Sequence, residues 1–303
     1  MRQKHIHYKY MRNVGVIDIG SNTIKLLVAN EMGSLFKEVC DVRLFPKGSM
    51  LEEKPMQDAI ESIAGLIQSA KNYDCDPIKI VGTSAIREAE NQNEFLLLLK
   101  NATGYDLQVL SGEEEAMYVA EGIIADPHIA HGGDFFAVDL GGGSLECIHY
   151  KDTRIARTCS LPLGAVRLMN HFVEDPSQAL LVETQEKIKL AIYEKLDDEA
   201  FQFSSDTMFI GCGGAFSVAR LMIDETESYV SFEKLKALQR SLSRMKLKER
   251  YEVPHLPHPR ADVMPTALTI MLSVCLYYGR AGYTHSYHNL RYGLARTMLT
   301  QKV

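Results

Sequence analysis

The chain has 303 residues, 46% hydrophobic and 24% charged, with a formal net charge of −6. That length and apolar content suffice for two packed cores, and the acidic balance argues against a nonspecific partner of nucleic acid or of a membrane surface. The six cysteines (Cys40, Cys75, Cys147, Cys159, Cys212, Cys275) include no CxxC pair, and the start, MRQKHIHYKYMRN, has no apolar core for secretion; reduced thiols in the cytoplasm are the expectation.

Residues 1–12 read as a basic extension without periodicity. Val14–Asn30, VGVIDIGSNTIKLLVAN, predicts a strand, a tight polar turn and a second strand, and Ser34–Leu44 a third antiparallel strand. Pro55–Tyr73 has apolar residues at helical spacing. Ile78–Gly82 is a buried strand, and Thr83 or Ser84 caps a helix through Ala89. A helix over Glu94–Ala102, a strand at Leu107–Leu110 and a helix from Ser111–Gly112 to Gly122 follow. Asp126–Gly133, DPHIAHGG, is the linker candidate, dividing a domain of residues 1–125 from one of 126–303.

The second half opens on another hairpin, Phe135–Tyr150, and a strand at Arg154–Leu161. Helices are predicted over Gly164–Phe172 and Gln178–Leu196. Met208–Ile210 is a strand feeding GCGG and a helix, Ala215–Ile223. Phe232–Leu242 and Leu247–Tyr251 are helical, and Pro254–Pro259 is a rigid loop. Arg260–Tyr278 forms a long buried helix. Its apolar run, Val263–Tyr278, is shorter than a membrane span and contains Pro265, Thr266, Thr269 and Ser273. A brief strand at His285–Tyr287 precedes a closing helix, which could pack back on the first domain. That helix and the long apolar one are the candidate faces for a homodimer.

Val14–Asn30 and Ala137–His149, AVDLGGGSLECIH, share one pattern with a constant offset. Asp139 falls on Asp18, Gly141 on Gly20, Ser144 on Thr23 and Glu146 on Lys25. Gly20, Ser21, Asn22 and Thr23, like Gly141, Gly142, Gly143 and Ser144, form turns that can present backbone N–H groups to an oxyanion. Asp18 and Asp139 would repel a phosphate unless a cation stood between, so they are candidate hard ligands for Mg²⁺. Gly213 and Gly214, in GCGG before a helix, could bind an anion at its N-terminus. Glu113, Glu114 and Glu115 open a helix, where acids compensate the dipole. The pairs His128/His131, His255/His258 and His285/His288 have no cysteine ligand beside them, and zinc is not expected. The chain is thus expected to be α/β, with two duplicated domains and a cleft between them.

DIGSNTIKLLV, TSAIREAEN, SGEEEA, VDLGGGSLE, LPLGAVRL, GCGGAFSVAR and RADV succeed one another in an order that resembles the exopolyphosphatase / guanosine pentaphosphate phosphohydrolase family. That family lies in the actin / Hsp70 / sugar-kinase superfamily. The resemblance runs over nearly all of the chain from Val14 on and matches the short two-domain form. It implies two actin-like (ribonuclease H-like) domains. It implies Glu115 as general base for the attacking water, with Glu114 as second choice. It implies Arg87 at the phosphate site, where guanidinium can hold phosphate bidentately. Lys25 stands where many relatives have arginine. Glu146 becomes a cleft acid that orients water or helps hold metal, and Arg260 and Arg291 become basic candidates for a longer phosphate chain. Leu145, Ala215 and Tyr292 depart from the family pattern.

The implied activity is Mg²⁺-dependent release of terminal phosphate from inorganic polyphosphate, or of the 5′-phosphate from pppGpp. Two other readings stay open: an ATP-dependent kinase of the same superfamily, and a regulator that binds polyphosphate or (p)ppGpp without turnover.

Overall fold

The computed structural model describes residues 12–46, 48–129, 133–224 and 226–301. The basic extension, apart from Arg12, and His131 lie outside them. The described residues group into two compact units, one within Met1–Ala125 and Leu290–Val303, the other within Asp126–Asn289.

In the first unit, β1 (Asn13–Ile19), β2 (Ile24–Asn30) and β3 (Gly33–Cys40) form an antiparallel meander. Helix α1 (Glu53–Lys71) carries the chain to β4 (Cys75–Gly82), parallel to β1. A short α2 (Ser84–Arg87) and α3 (Gln92–Thr103) lead to β5 (Leu107–Val109), parallel to β4, and α4 (Gly112–Ile124) follows. The sheet order is β3-β2-β1-β4-β5. Helix α1 buries Met56, Ala59, Ile63, Leu66, Ile67 and Ala70, the i, i+3, i+4 stripe of an amphipathic helix, against Ile17, Ile19, Leu26 and Val28.

The second unit repeats the plan. Strands β6 (Phe135–Leu140), β7 (Leu145–Lys151) and β8 (Arg154–Leu161) form the meander. Helices α5 (Ala165–Phe172) and α6 (Val182–Glu199) lead to β9 (Met208–Cys212), parallel to β6. Then come α7 (Gly213–Ile223), β10 (Tyr229–Ser231), α8 (Phe232–Arg244), α9 (Leu247–Arg250), the buried α10 (Met264–Tyr277) and β11 (Gly282–His285). The order is β10-β11-β9-β6-β7-β8. The last helix, α11 (Leu290–Thr300), belongs to the first unit, where it packs on α4 and β1.

Several boundaries differ from the sequence reading. Thr83 takes the N-cap position of α2, where its carbonyl accepts from Ile86 N and Arg87 N but its side chain makes no cap; Ser84 lies inside the turn, and its hydroxyl donates to Glu88 Oε1 at 2.7 Å. Residues 178–181 are not helical, because the Leu180 N–H goes to Ser243 O and the Gln178 carbonyl accepts from Arg250. The long helix begins at Met264, with Pro265 in its first turn, and Arg260 ends a separate 3₁₀ turn, His258–Arg260. The brief strand lies at Gly282–His285, because residues 286–288 turn onto the Asp126 carboxylate. The short edge strand β10 was not foreseen.

Candidate active site

The first turn joins β1 to β2. Gly20 N–H donates to Thr23 O at 3.1 Å, closing the turn, and Ser21 O accepts from Leu44 N at 3.0 Å. Asp18, Ser21 and Thr23 are buried. Asp18 stands directly opposite Lys25 across the ladder, so this hairpin sets a cation beside its own acid. The Asn22 side-chain carbonyl accepts from Arg43 Nε at 2.7 Å, which places a second basic group at the turn.

The second turn joins β6 to β7 and is closed the same way, with Gly141 N–H donating to Ser144 O at 3.0 Å. Here Asp139 stands opposite Glu146, and both are buried. Glu146 Oε1 accepts from Ser160 Oγ at 2.8 Å, from the next strand. Burial, and then the charges of Asp139 and Glu146, push the neighbouring Cys212 thiol well above its usual range.

The start of α5 orients the glycines. Gly141 O accepts from Ala165 N at 3.0 Å, and Gly142 O from Val166 N at 2.9 Å and Arg167 N at 3.1 Å. Gly143 O accepts from Gly164 N at 3.3 Å and from Arg167 Nε at 2.7 Å. Because a peptide's C=O and N–H point in opposite directions, the amides of Gly142, Gly143 and Ser144 face away from α5. Gly164 makes this approach possible: a Cβ there would lie 2.2 Å from Gly143 C and 2.3 Å from Gly142 O.

The GCGG turn completes this group. Asp139 pairs in register with Cys212, so Cys212, Asp139, Glu146 and Ser160 form one row across four strands. Gly213 has φ +89°, and a Cβ there would lie 2.0 Å from Asp139 Oδ1; one at Gly214 would lie 2.4 Å from Arg260 Nη1. A carboxylate and a guanidinium therefore both rest on the glycine backbone that opens α7.

In the first unit, Ser111 caps α4. Its hydroxyl accepts from Glu114 N at 3.1 Å, and the Glu114 carboxylate accepts from Ser111 N at 2.7 Å. Glu114, the second-choice base, is thus held at the cap. Glu115 is the buried member of the three glutamates, and its Oε2 lies 3.0 Å from Arg87 Nη1. The same Arg87 nitrogen donates to Leu110 O at 2.7 Å. The proposed base and the proposed phosphate arginine are therefore in contact. Arg291 donates to Leu26 O at 3.3 Å and sits on the β2 backbone.

The structure brings Asp139, Gly141–Ser144, Glu146, Gly213 and Gly214 together, and likewise Arg87 with Glu115. Among the described residues, no group of three or more His, Cys, Asp or Glu side chains gathers as a metal site. Of the expected metal trio, Asp139 and Glu146 stand in register in the second unit, and Asp18 stands opposite Lys25 in the first. Arg167 and Ser160 were missed. Arg167 could have been suspected from LPLGAVRL, whereas Ser160 depends on strand register alone.

Two acid-backed, glycine- and hydroxyl-rich turns on repeated α/β units are the construction of a protein that handles phosphate. The chain belongs to the Ppx/GppA phosphatase family, whose sequence model matches residues 25–301. It is 26% identical over 273 residues to the guanosine-5′-triphosphate,3′-diphosphate pyrophosphatase of Photobacterium profundum, covering 85% of this chain and 53% of that protein. The chain thus spans about half the length of the curated relatives it matches. An exopolyphosphatase from Cytophaga hutchinsonii superposes with a TM-score of 0.81 at 24% identity, over 95% of this chain and 98% of that one. A Ppx/GppA family member from Aquifex aeolicus superposes with a TM-score of 0.78 at 22% identity, over 97% and 99%. The fold is that of these proteins, with two α/β units that repeat one plan. No helix among the described residues is long and apolar enough to cross a membrane.

Proposed function

We propose that this chain is a hydrolase releasing the terminal phosphate of inorganic polyphosphate, the 5′-phosphate of guanosine pentaphosphate, or both. The observation that carries the reading is the acid pair Asp139–Glu146 beside a glycine turn whose carbonyls are all turned to α5. Backbone amides on one side and two carboxylates on the other suit a phosphate bound together with a cation. Family membership points the same way.

In this reading, water attacks the terminal phosphorus in line, and Glu115 takes its proton. Arg87 has guanidinium donors beyond those used on Glu115 and Leu110, and these hold the equatorial oxygens. The amides of Gly142, Gly143 and Ser144, with Ser21, Thr23 and Lys25 of the first turn, stabilise the remaining charge. Gly213 and Gly214, with Arg260, extend the anion-binding backbone along the phosphate chain. Asp139 and Glu146 are hard oxygen donors with no lysine in register, so they would hold a divalent cation such as Mg²⁺, and Asp18 would be a further donor. Such a cation, when bound, supplies charge neutralisation on the phosphate oxygens.

The test is phosphate release from polyphosphate and from guanosine pentaphosphate, with Mg²⁺ and without any acceptor, for wild type and Glu115→Gln. Release by wild type and its loss in the variant support the reading. Turnover that requires ATP and an acceptor would indicate the kinase, and tight binding without release the regulator. Wild-type turnover in the variant would remove Glu115 from the mechanism.

A further inference from the structure

Cys147 and Cys159 stand directly opposite each other on β7 and β8. Cys147 is fully buried and Cys159 half-buried. Every one of the six cysteines is a free thiol. The next pair along the same two strands is Glu146 and Ser160, joined by the 2.8 Å hydrogen bond already described. Directly opposed residues of an antiparallel pair have Cβ atoms about 4.5–5.5 Å apart, whereas a disulfide needs about 3.8 Å. Closing the bond therefore draws the strands together one residue from Glu146.

We propose that Cys147 and Cys159 are a redox-active dithiol, oxidised by peroxide to a reversible disulfide that displaces the Glu146–Ser160 pair and lowers activity. The half-buried Cys159, the more accessible of the two, reacts first. Its sulfur attacks one peroxide oxygen, the O–O bond breaks, and the hydroxide that leaves takes up the thiol proton as water. Cys159 is then a sulfenic acid. The Cys147 sulfur attacks the Cys159 sulfur, the S–S bond forms, the S–O bond breaks, and hydroxide leaves with the Cys147 proton as a second water. Two thiols lose two electrons, and one peroxide gains them. A dithiol returns both protons and electrons by thiol–disulfide exchange. The effect on activity rests on the phosphohydrolase reading above; the disulfide does not.

The full chain is treated with hydrogen peroxide and digested without reduction. The expected result is a peptide linking Cys147 to Cys159, lost on adding dithiothreitol and absent from Cys159→Ser. Phosphate release from polyphosphate should fall by tens of fold, up to about 100-fold, as for other small displacements of a site group. It should recover with dithiothreitol and resist peroxide in Cys159→Ser. Oxidation of Cys159 to sulfinic acid without a cross-link, or no oxidation, would overturn the dithiol. A mapped disulfide with unchanged release would overturn its coupling to Glu146. If neither state releases phosphate, the phosphohydrolase reading fails, and the cross-link map still decides the dithiol.

Discussion

Asp139 faces Glu146 across β6 and β7 at the positions that Asp18 and Lys25 occupy across β1 and β2. One copy of the repeat carries its own cation, and the other sets two acids side by side. Like charges in direct register repel, so Glu146→Gln should raise the thermal midpoint of the metal-free protein by roughly 2–4 °C, the scale of about 1 kcal/mol in a chain of this size. The same variant should lose most of the stabilisation that Mg²⁺ gives the wild type. Thermal scans with and without Mg²⁺ read both; an undiminished Mg²⁺ shift would place the cation elsewhere.

Glu115→Gln keeps an acceptor for Arg87 Nη1, which lies 3.0 Å from Glu115 Oε2 in the wild type, but cannot take a proton from water. The expected kcat falls by about 10²–10⁴-fold with little change in unfolding free energy. Arg87→Ala should instead raise KM and also cost stability. It leaves the buried Glu115 without this partner, and because Arg87 is partly solvated, the loss is about 1–2 kcal/mol rather than that of a fully buried pair. Steady-state kinetics beside urea unfolding separates the two.

Gly164→Ala puts a methyl group 2.2–2.4 Å from backbone atoms of Gly142 and Gly143. Backbone cannot yield as a side chain can, so the variant should destabilise the chain by several kcal/mol, about the scale of a severe core substitution, and depress activity in whatever fraction folds. Gly65→Ala is the contrast. Gly65 lies within α1 with nothing near its Cβ position, and there the change should stabilise by about 0.5–1 kcal/mol.

His285 links β11 to the GCGG turn. Its ring nitrogens meet Gly211 O at 3.1 Å and Ser217 Oγ at 3.3 Å, and Ser217 Oγ donates to Gly213 O at 2.9 Å. Burial, then the Arg220 charge, hold its pKa down at about 4, against 6.5 ordinarily. A histidine kept neutral in the fold takes up its proton more readily once unfolded. Its contribution is therefore whole above about pH 6.5 and is lost as pH falls toward 4, a change of roughly 3 kcal/mol. Asp126 is pulled the other way: burial opposes ionisation, but hydrogen bonds from His128 and Ser286 outweigh it and hold the carboxyl below its usual range. Its contribution is lost only at lower pH. Denaturant midpoints at pH 7 and pH 5 should converge in His285→Gln and differ clearly in wild type.

The duplicated hairpins were legible because everything that defines them is local: alternating apolar residues, an acid at the strand end, and a Gly-and-hydroxyl turn. Arg167 was less so, since its role appears only when α5 brings it to Gly143 O. Asp126 was hidden for a similar reason. Its Pro- and Gly-rich surroundings read as a linker, yet the carboxylate is fully buried and accepts from His128, Ser286, Tyr287 and His288. Composition cannot show that a segment more than 150 residues onward supplies three of those donors, from Ser286, Tyr287 and His288. Ser160 was out of reach because register decides which residue faces Glu146. Pairing outward from the tip, where Lys151 meets Arg154 and Tyr150 meets Ile155, would give Glu146 the wrong partner.

That register changes between His149 and Tyr150, where His149 pairs with Arg157 and Ala156 is left without a partner. A bulge takes up one surplus residue and lets the ladder resume in phase. The tip of this hairpin is thereby insulated from its base. Excision of Ala156 should straighten the ladder while keeping Cys147 opposite Cys159 and Glu146 opposite Ser160. Length variation near residues 152–153 can be absorbed before it reaches the row of Cys212, Asp139, Glu146 and Ser160. The far end of the hairpin is thus the part of this sheet most open to insertion, deletion or grafted sequence.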